Sequence, residues 1–95
     1  MAVTFDAMAE EGVRFDAAYA QIPVTGPSHL TILSGVGPWA HRTLLNGVSV
    51  PSDLPLLAER LRFVGYETGA FVSAFVLDGA FGFSRGFRVY DDDFS

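Results

Sequence analysis

The chain has 95 residues, of which 49% are hydrophobic and 18% charged, and its 11 acidic against 6 basic residues give a net charge of −5. This length allows one small domain, and the acidic balance argues against nucleic-acid binding, which uses a basic surface. The absence of cysteine excludes disulfides and thiolate metal ligands. Because a short chain exposes much of its surface, the high apolar content predicts that part of this surface packs against more protein.

The sequence shows neither a signal peptide nor a membrane-spanning segment. No basic residue precedes Arg14, and the first residues do not form the apolar core of a signal peptide. The longest apolar stretch, residues 69–83, is interrupted by Ser73, Asp78 and three glycines. It is therefore too short and too polar to cross a bilayer.

The first elements predicted along the chain are a helix and a strand. Residues 4–11 carry apolar side chains at helical spacing, and Gly12 is suited to a left-handed helix end. Residues 13–20 alternate between apolar and polar side chains, which predicts a strand.

A loop and a second helix follow. Two prolines and a glycine predict a loop over residues 22–27. Residues 28–34 predict a helix, for which Pro27 suits the first turn and Gly35 the end. Residues 36–52 are rich in turn-forming pairs, and the turns between Gly35 and Asn46 predict that Asn46 folds back beside the start of this helix.

The second half predicts a helix and the best strand of the chain. The helix begins near Pro55, with Asp53 as a candidate cap, and Gly65 ends it. Residues 67–74 contain a continuous apolar run, which predicts a strand buried on both faces of a parallel sheet. We expect one shared core from three apolar side chains of this helix and strand: Leu57, Leu61 and Phe71.

The alternation of helices and strands predicts an α/β fold with parallel sheet elements flanked by helices. After the main strand, residues 77–86 predict an irregular segment and residues 87–90 a short strand.

The segment around Thr25 carries the chemistry. Thr25 lies at or just before a predicted helix N-terminus, where free N–H groups and the helix dipole attract anions. A hydroxyl at such a place can act as a nucleophile. The alternative from position alone is that Thr25 or Ser28 only caps the helix.

Several motifs resemble those of the sulfatase family of the alkaline phosphatase superfamily. Thr25-Gly26-Pro27-Ser28-His29 resembles the nucleophile motif, especially the Thr-x-Pro-Ser/Asn-His form of phosphodiesterases and sulfatase-like hydrolases. In chain order, the other similar segments are 5–15, 33–35 with Pro38 and His41, 57–61, 65–68, 81–83, 85–87 and 90–92. The resemblance thus covers nearly the whole chain.

The resemblance implies a partial alkaline-phosphatase-like fold in which residues 1–95 are a fragment of one sulfatase-like domain. That fragment lacks the domain's first strand and C-terminal part. The implied function is metal-dependent hydrolysis of a small sulfate or phosphate ester. Thr25 would be nucleophile and metal ligand, Asn46 a donor to the transition state, and His29 an oxyanion or leaving-group contact. A simple turn remains the alternative for Asn46, and a hydrogen-bonded structural histidine remains the alternative for His29.

The sequence also departs from the family pattern. Thr25 replaces the Cys or Ser that sulfatases oxidise to formylglycine, His29 replaces an Arg, and Arg42 stands where a Gly follows the motif's His41. The implied divalent metal, Ca or Zn, has its carboxylate and imidazole ligands outside this chain. We therefore predict that the chain alone is inactive and that its partner is the remainder of the sulfatase domain.

Two alternatives stay open at this point. Thr25 and Asn46 favour a phosphodiesterase or phosphotransferase of the same superfamily, whereas the missing metal ligands favour a non-catalytic module that retains the fold. The acidic run 91–93 is interpreted as a solvated or turn-forming segment. Family members are often exported, so the resemblance is compatible with a periplasmic or extracellular location, which the sequence itself does not establish.

Overall fold

The computed structural model describes residues 3–93. It contains four α-helices and two β-strands in that range. The helices are α1 (Val3–Glu11), α2 (Thr25–Ser34), α3 (Pro38–His41) and α4 (Leu57–Phe63), and the strands are β1 (Gly69–Phe71) and β2 (Val89–Asp91). Two short 3₁₀ helices, Phe75–Leu77 and Gly79–Phe81, lie between the strands. This mixture of helices with a parallel strand pair is compatible with the predicted α/β class.

The two strands form a small parallel sheet. Gly69 pairs with Val89, and Phe71 pairs with Asp91. The prediction of a parallel strand is confirmed, but the predicted length of residues 67–74 is wrong, since only three residues are extended and paired. Within residues 3–93, β1 has β2 as its single neighbour and so lies at an edge, not in the interior of a larger sheet.

The predicted core of Leu57, Leu61 and Phe71 is wrong. Phe71 is 78% exposed, and Leu57 is 52% exposed. The neighbouring Leu56 takes the buried position, because α4 begins one residue after it and turns the side chain of Leu57 outward. The buried cluster lies elsewhere and comprises Leu30, Val50, Leu56, Leu77 and Phe83.

The predicted strand over residues 13–20 is also wrong. These residues form no helix or strand, and every one of them is exposed. An alternating pattern yields a stable strand only where a neighbouring strand supplies hydrogen bonds and a core covers one face. Within residues 3–93 this segment has neither.

The helix ends agree only in part with the sequence predictions. Gly35 ends α2 in the left-handed conformation as predicted, with φ 78°, and Gly65 has φ +100° after α4. Gly12 is not left-handed, although its N–H donates to the Met8 carbonyl at 2.9 Å. Asp53 does not cap α4; instead the Glu59 carboxylate accepts a hydrogen bond from the Leu56 N–H at 3.0 Å.

Much apolar surface remains open. Phe5, Phe15, Tyr19 and Phe63 are each more than 70% exposed, and α1 has no buried residue. Such surface is unusual for a small monomer, and it agrees with the prediction that more protein packs here. None of the helices in residues 3–93 has the length and apolar character needed to cross a membrane.

Candidate functional site

Helix α2 begins at Thr25, three residues earlier than predicted. The residue before it, Val24, is extended, with φ −134° and ψ 129°, and its apolar side chain forms no cap. Thr25 is exposed, and its hydroxyl makes no hydrogen bond to any residue in 3–93. The interpretation of Thr25 or Ser28 as the helix cap is therefore wrong. The Thr25 oxygen is free for another role.

Asn46 reaches the start of α2 from a distant loop. Its Oδ1 accepts a hydrogen bond from the Gly26 N–H at 2.7 Å, across 20 residues of chain. Asn46 lies in a turn with Gly47, whose φ is +80°. The turn and the contact with the helix start are thus both present. The expectation that the loop folds back over the start of α2 is confirmed, whereas the role of Asn46 in the reaction stays a prediction.

This contact changes which groups at the helix start can bind an anion. The Gly26 N–H is engaged by Asn46, Pro27 has no N–H, and the Ser28 N–H donates to the Val24 carbonyl at 2.9 Å. The helix start therefore offers fewer free backbone donors than the sequence suggested. The amide oxygen of Asn46 is used in this contact, whereas its NH₂ group is a donor that the contact leaves unused at this end of α2.

His29 lies one helical turn beyond Thr25 and bonds to its backbone. The His29 Nδ1 is 2.8 Å from the Thr25 carbonyl oxygen. A carbonyl oxygen only accepts, so Nδ1 carries the proton in this bond. In the neutral ring, Nε2 then holds the free lone pair. His29 is exposed, so this nitrogen is accessible to a ligand from solution.

His41 is a structural residue between the loop and α2. It is only 4% exposed. The Thr43 N–H donates to Nδ1 at 3.1 Å, which leaves Nε2–H to donate to the Thr31 hydroxyl at 3.1 Å. Burial lowers the pKa of His41, although a hydrogen bond to the Pro27 backbone opposes this effect. The neutral imidazole therefore holds residues 41–43 against α2.

The loop that carries Asn46 is fixed at its far end as well. The Val50 N–H donates to the Phe81 carbonyl at 2.7 Å. The Arg85 guanidinium then donates to three carbonyl oxygens of the following turn, those of Pro51, Ser52 and Leu54. The sequence identified Arg85 only as part of the Arg-Gly-Phe motif at residues 85–87. This motif marked the position, but not the hydrogen bonds that Arg85 donates to the turn.

The acidic run near the end of the described range makes both a long-range and a local hydrogen bond. The Asp92 carboxylate accepts from the Gly79 N–H at 2.8 Å, and the Asp91 carboxylate from the Asp93 N–H at 3.2 Å. The second bond is local, as in a turn, whereas the first joins the run to a 3₁₀ helix 13 residues away, which the sequence did not predict. No group of three or more His, Asp or Glu residues within 3–93 is arranged to hold a metal ion.

Two curated proteins are similar to the chain over most of its length. It is 29% identical over 86 residues to the uncharacterized sulfatase YidJ of Escherichia coli (strain K12), an alignment covering 85% of the chain and 16% of the relative. It is 35% identical over 74 residues to an ulvan-active sulfatase of Formosa agariphila, covering 78% of the chain and 14% of the relative.

No family model matches the chain, and no solved structure matches it significantly. From the shares of the two sulfatases that are aligned, 16% and 14%, the chain spans about one-sixth or less of their length. The two similarities support a sulfatase-type chain and agree with the resemblance found in its motifs.

Proposed function

We propose that this chain is the nucleophile-bearing segment of a metal-dependent, sulfatase-type ester hydrolase with Thr25 as nucleophile. One observation carries the proposal: Asn46 is bonded to the residue that follows Thr25, and the Thr25 hydroxyl itself has no partner within residues 3–93. A hydroxyl without a partner and an amide side chain are thus both present at one helix start, which supports the proposal. The similarity to two sulfatases favours a sulfate ester as substrate.

The reaction proceeds by covalent catalysis. The Thr25 oxygen loses its proton and attacks the sulfur in line, and the bond from sulfur to the ester oxygen breaks. The departing oxygen takes up a proton and leaves as an alcohol. Water then attacks the same sulfur, which releases sulfate and restores the Thr25 hydroxyl.

Asn46 and His29 assist at this centre. The NH₂ group of Asn46 donates to the non-bridging oxygens, whose negative charge grows in the transition state. The Nε2 of neutral His29 accepts a proton or, once protonated, donates one to an oxyanion or leaving group. Its Nδ1 bond to the Thr25 carbonyl holds the ring on the nucleophile's own helix turn.

Residues 3–93 do not form a metal site by themselves. Thr25 supplies one hydroxyl oxygen, and stable divalent sites use several carboxylates or imidazoles. We propose that the remainder of a sulfatase-like domain supplies those ligands to a Ca or Zn ion, with Thr25 as one further ligand. The exposed apolar surface of α1 and residues 12–20 is one part of the chain available to contact that remainder.

Two other functions compete with this one. A phosphodiesterase of the same superfamily is favoured by a threonine at position 25, since formylglycine cannot form from it, and by Asn46. A non-catalytic module is favoured by the lack of a metal-binding group within residues 3–93.

The test is to assay the full-length gene product that contains this sequence against 4-nitrophenyl sulfate and the phosphodiester bis(4-nitrophenyl) phosphate, with and without a chelator. We expect metal-dependent turnover with the sulfate preferred, and no turnover by the 95-residue chain alone. A phosphate preference would support the phosphodiesterase instead. Absence of turnover of both esters would support the non-catalytic module.

Substitutions of Asn46 separate two functions of its side chain: the hydrogen bond that caps α2 at Gly26 and the proposed donation to the transition state. In N46D a carboxylate oxygen still accepts from the Gly26 N–H and also favours the positive end of the helix dipole. We expect the free energy of unfolding to be kept, while turnover falls by about 10²-fold because the amide donor is lost. Urea unfolding and steady-state kinetics of the full-length product measure the two effects.

The comparison variant N46A loses both functions of the side chain. We expect it to lose about 1 kcal/mol of stability because the cap is removed, and to lose turnover by about the same 10²-fold as N46D. If N46D retains full turnover, Asn46 is only a helix cap and its assignment as a donor is wrong.

A further inference from the structure

A cleft of about 620 Å³ opens beside the loop that carries Asn46. Its lining includes Arg42 and Thr43 after α3 and, farther along the chain, Ser49 and Asp53. The cleft lies next to α2, because His41, which also lines it, bonds to the Thr31 hydroxyl and to the backbone of Pro27 in the first turn of α2. The start of α2 and this cleft therefore belong to one side of the loop that carries Asn46 and are candidates for two groups of one substrate.

Arg42, which lines this cleft, holds an unfavourable backbone conformation. Its φ is 59°, and it is the sole residue other than glycine in 3–93 with a positive φ. This left-handed backbone closes α3, with the Arg42 N–H donating to the Pro38 carbonyl at 2.8 Å. A side chain costs about 1 kcal/mol here relative to glycine, the residue that the family resemblance places after His41.

Nothing within residues 3–93 accounts for an arginine at this position. Its guanidinium makes no hydrogen bond or ion pair with any of these residues. Arg85 differs in this respect, because its guanidinium bonds to three carbonyl oxygens. Arg42 thus has an unfavourable left-handed backbone, a guanidinium with no partner in residues 3–93, and a position in the lining of a cleft.

We propose that Arg42 binds a second anionic group of the substrate, a carboxylate or sulfate, in this cleft. A guanidinium suits either group because it donates two parallel hydrogen bonds to a pair of oxygens. The Ser49 hydroxyl lines the same cleft and can add a donor. The proposal rests on the proposed function, since it narrows that substrate class to esters with two anionic groups.

Asp53 belongs to the same cleft and opposes an anion there. Its carboxylate repels the bound group, so a substitution that removes the carboxylate charge provides a second, independent test. Removing it with D53N should strengthen the binding of the anionic group, whereas removing the Arg42 charge should weaken it. A general loss of structure would weaken binding in both variants, so it would not raise the affinity in one and lower it in the other.

The experiment compares two ligands that differ by one anionic group, phenyl sulfate and 4-carboxyphenyl sulfate. Each is titrated into the full-length gene product in the presence of a chelator, so that neither is turned over, and binding is followed by ligand-observed NMR. We expect the wild-type protein to bind 4-carboxyphenyl sulfate about tenfold more tightly, a ratio typical of one hydrogen-bonded charged group. R42N should abolish this preference, because asparagine tolerates the left-handed backbone but is neutral. D53N should increase it.

The matched control is R62N, which removes an exposed arginine of α4 outside this cleft. Equal affinity of the wild-type protein for the two ligands would overturn the proposal. So would a preference for 4-carboxyphenyl sulfate that survives in both R42N and a second variant, R42G, or that is lost to the same extent in R62N. The T25A variant distinguishes this result from the proposed function. It should lose turnover in the full-length product while the ratio of the two affinities stays unchanged.

Discussion

Replacing Thr25 by alanine is expected to lower turnover of the full-length gene product by at least about a thousandfold while leaving the fold intact. The loss follows because the covalent step has no oxygen with which to attack. The fold should tolerate the change, since the Thr25 side chain is exposed, forms no hydrogen bond within residues 3–93 and does not cap α2. Surface changes of this kind alter the free energy of unfolding by about 0.5 kcal/mol or less.

The conservative variant T25S provides the control for this prediction. Serine keeps a hydroxyl at the start of α2, so we expect it to retain a measurable fraction of the turnover that alanine loses. The two variants should have the same urea midpoint. Turnover by T25A within about tenfold of wild type would show that Thr25 is an ordinary first residue of a helix and that the nucleophile lies elsewhere.

The sequence predicted the local signals of the site better than the packing around it. Pro27, Gly35 and the turn at Asn46 act through their own backbone preferences, which do not depend on the rest of the molecule. The return of Asn46 to α2 was predicted for this reason. Its bonding partner was not, because a hydrogen bond to the Gly26 N–H depends on how two segments 20 residues apart are placed.

The predictions that failed are those that needed a partner surface. Residues 13–20 alternate as a strand does but have no neighbouring strand within 3–93, and Phe71 lies in a strand whose outer face is open. Parallel sheets in known folds are covered on both faces. The apolar patterns of these segments therefore match a larger sheet, which agrees with relatives that are several times longer than this chain.

The glycine of the Arg-Gly-Phe run has a physical reason that the sequence motif alone did not reveal. Gly86 has φ +85°, in the region that side chains rarely adopt. It also lies against the first turn of α4, so that a Cβ there would be 2.6 Å from the Ala58 carbonyl carbon and still closer to the Glu59 nitrogen. Both atoms belong to the backbone and cannot rotate away.

We therefore expect G86A to destabilise the chain by about 2–4 kcal/mol, which sums a left-handed cost of about 1 kcal/mol and an overpacking cost of about 1–3 kcal/mol. The matched variant is G47A, at a glycine with φ +80° and no atom within 4 Å of an added Cβ. It should lose only the left-handed cost. Urea unfolding followed by circular dichroism measures both. Equal losses in the two variants would show that Gly86 is required for its backbone angle alone and that α4 does not pack tightly against it.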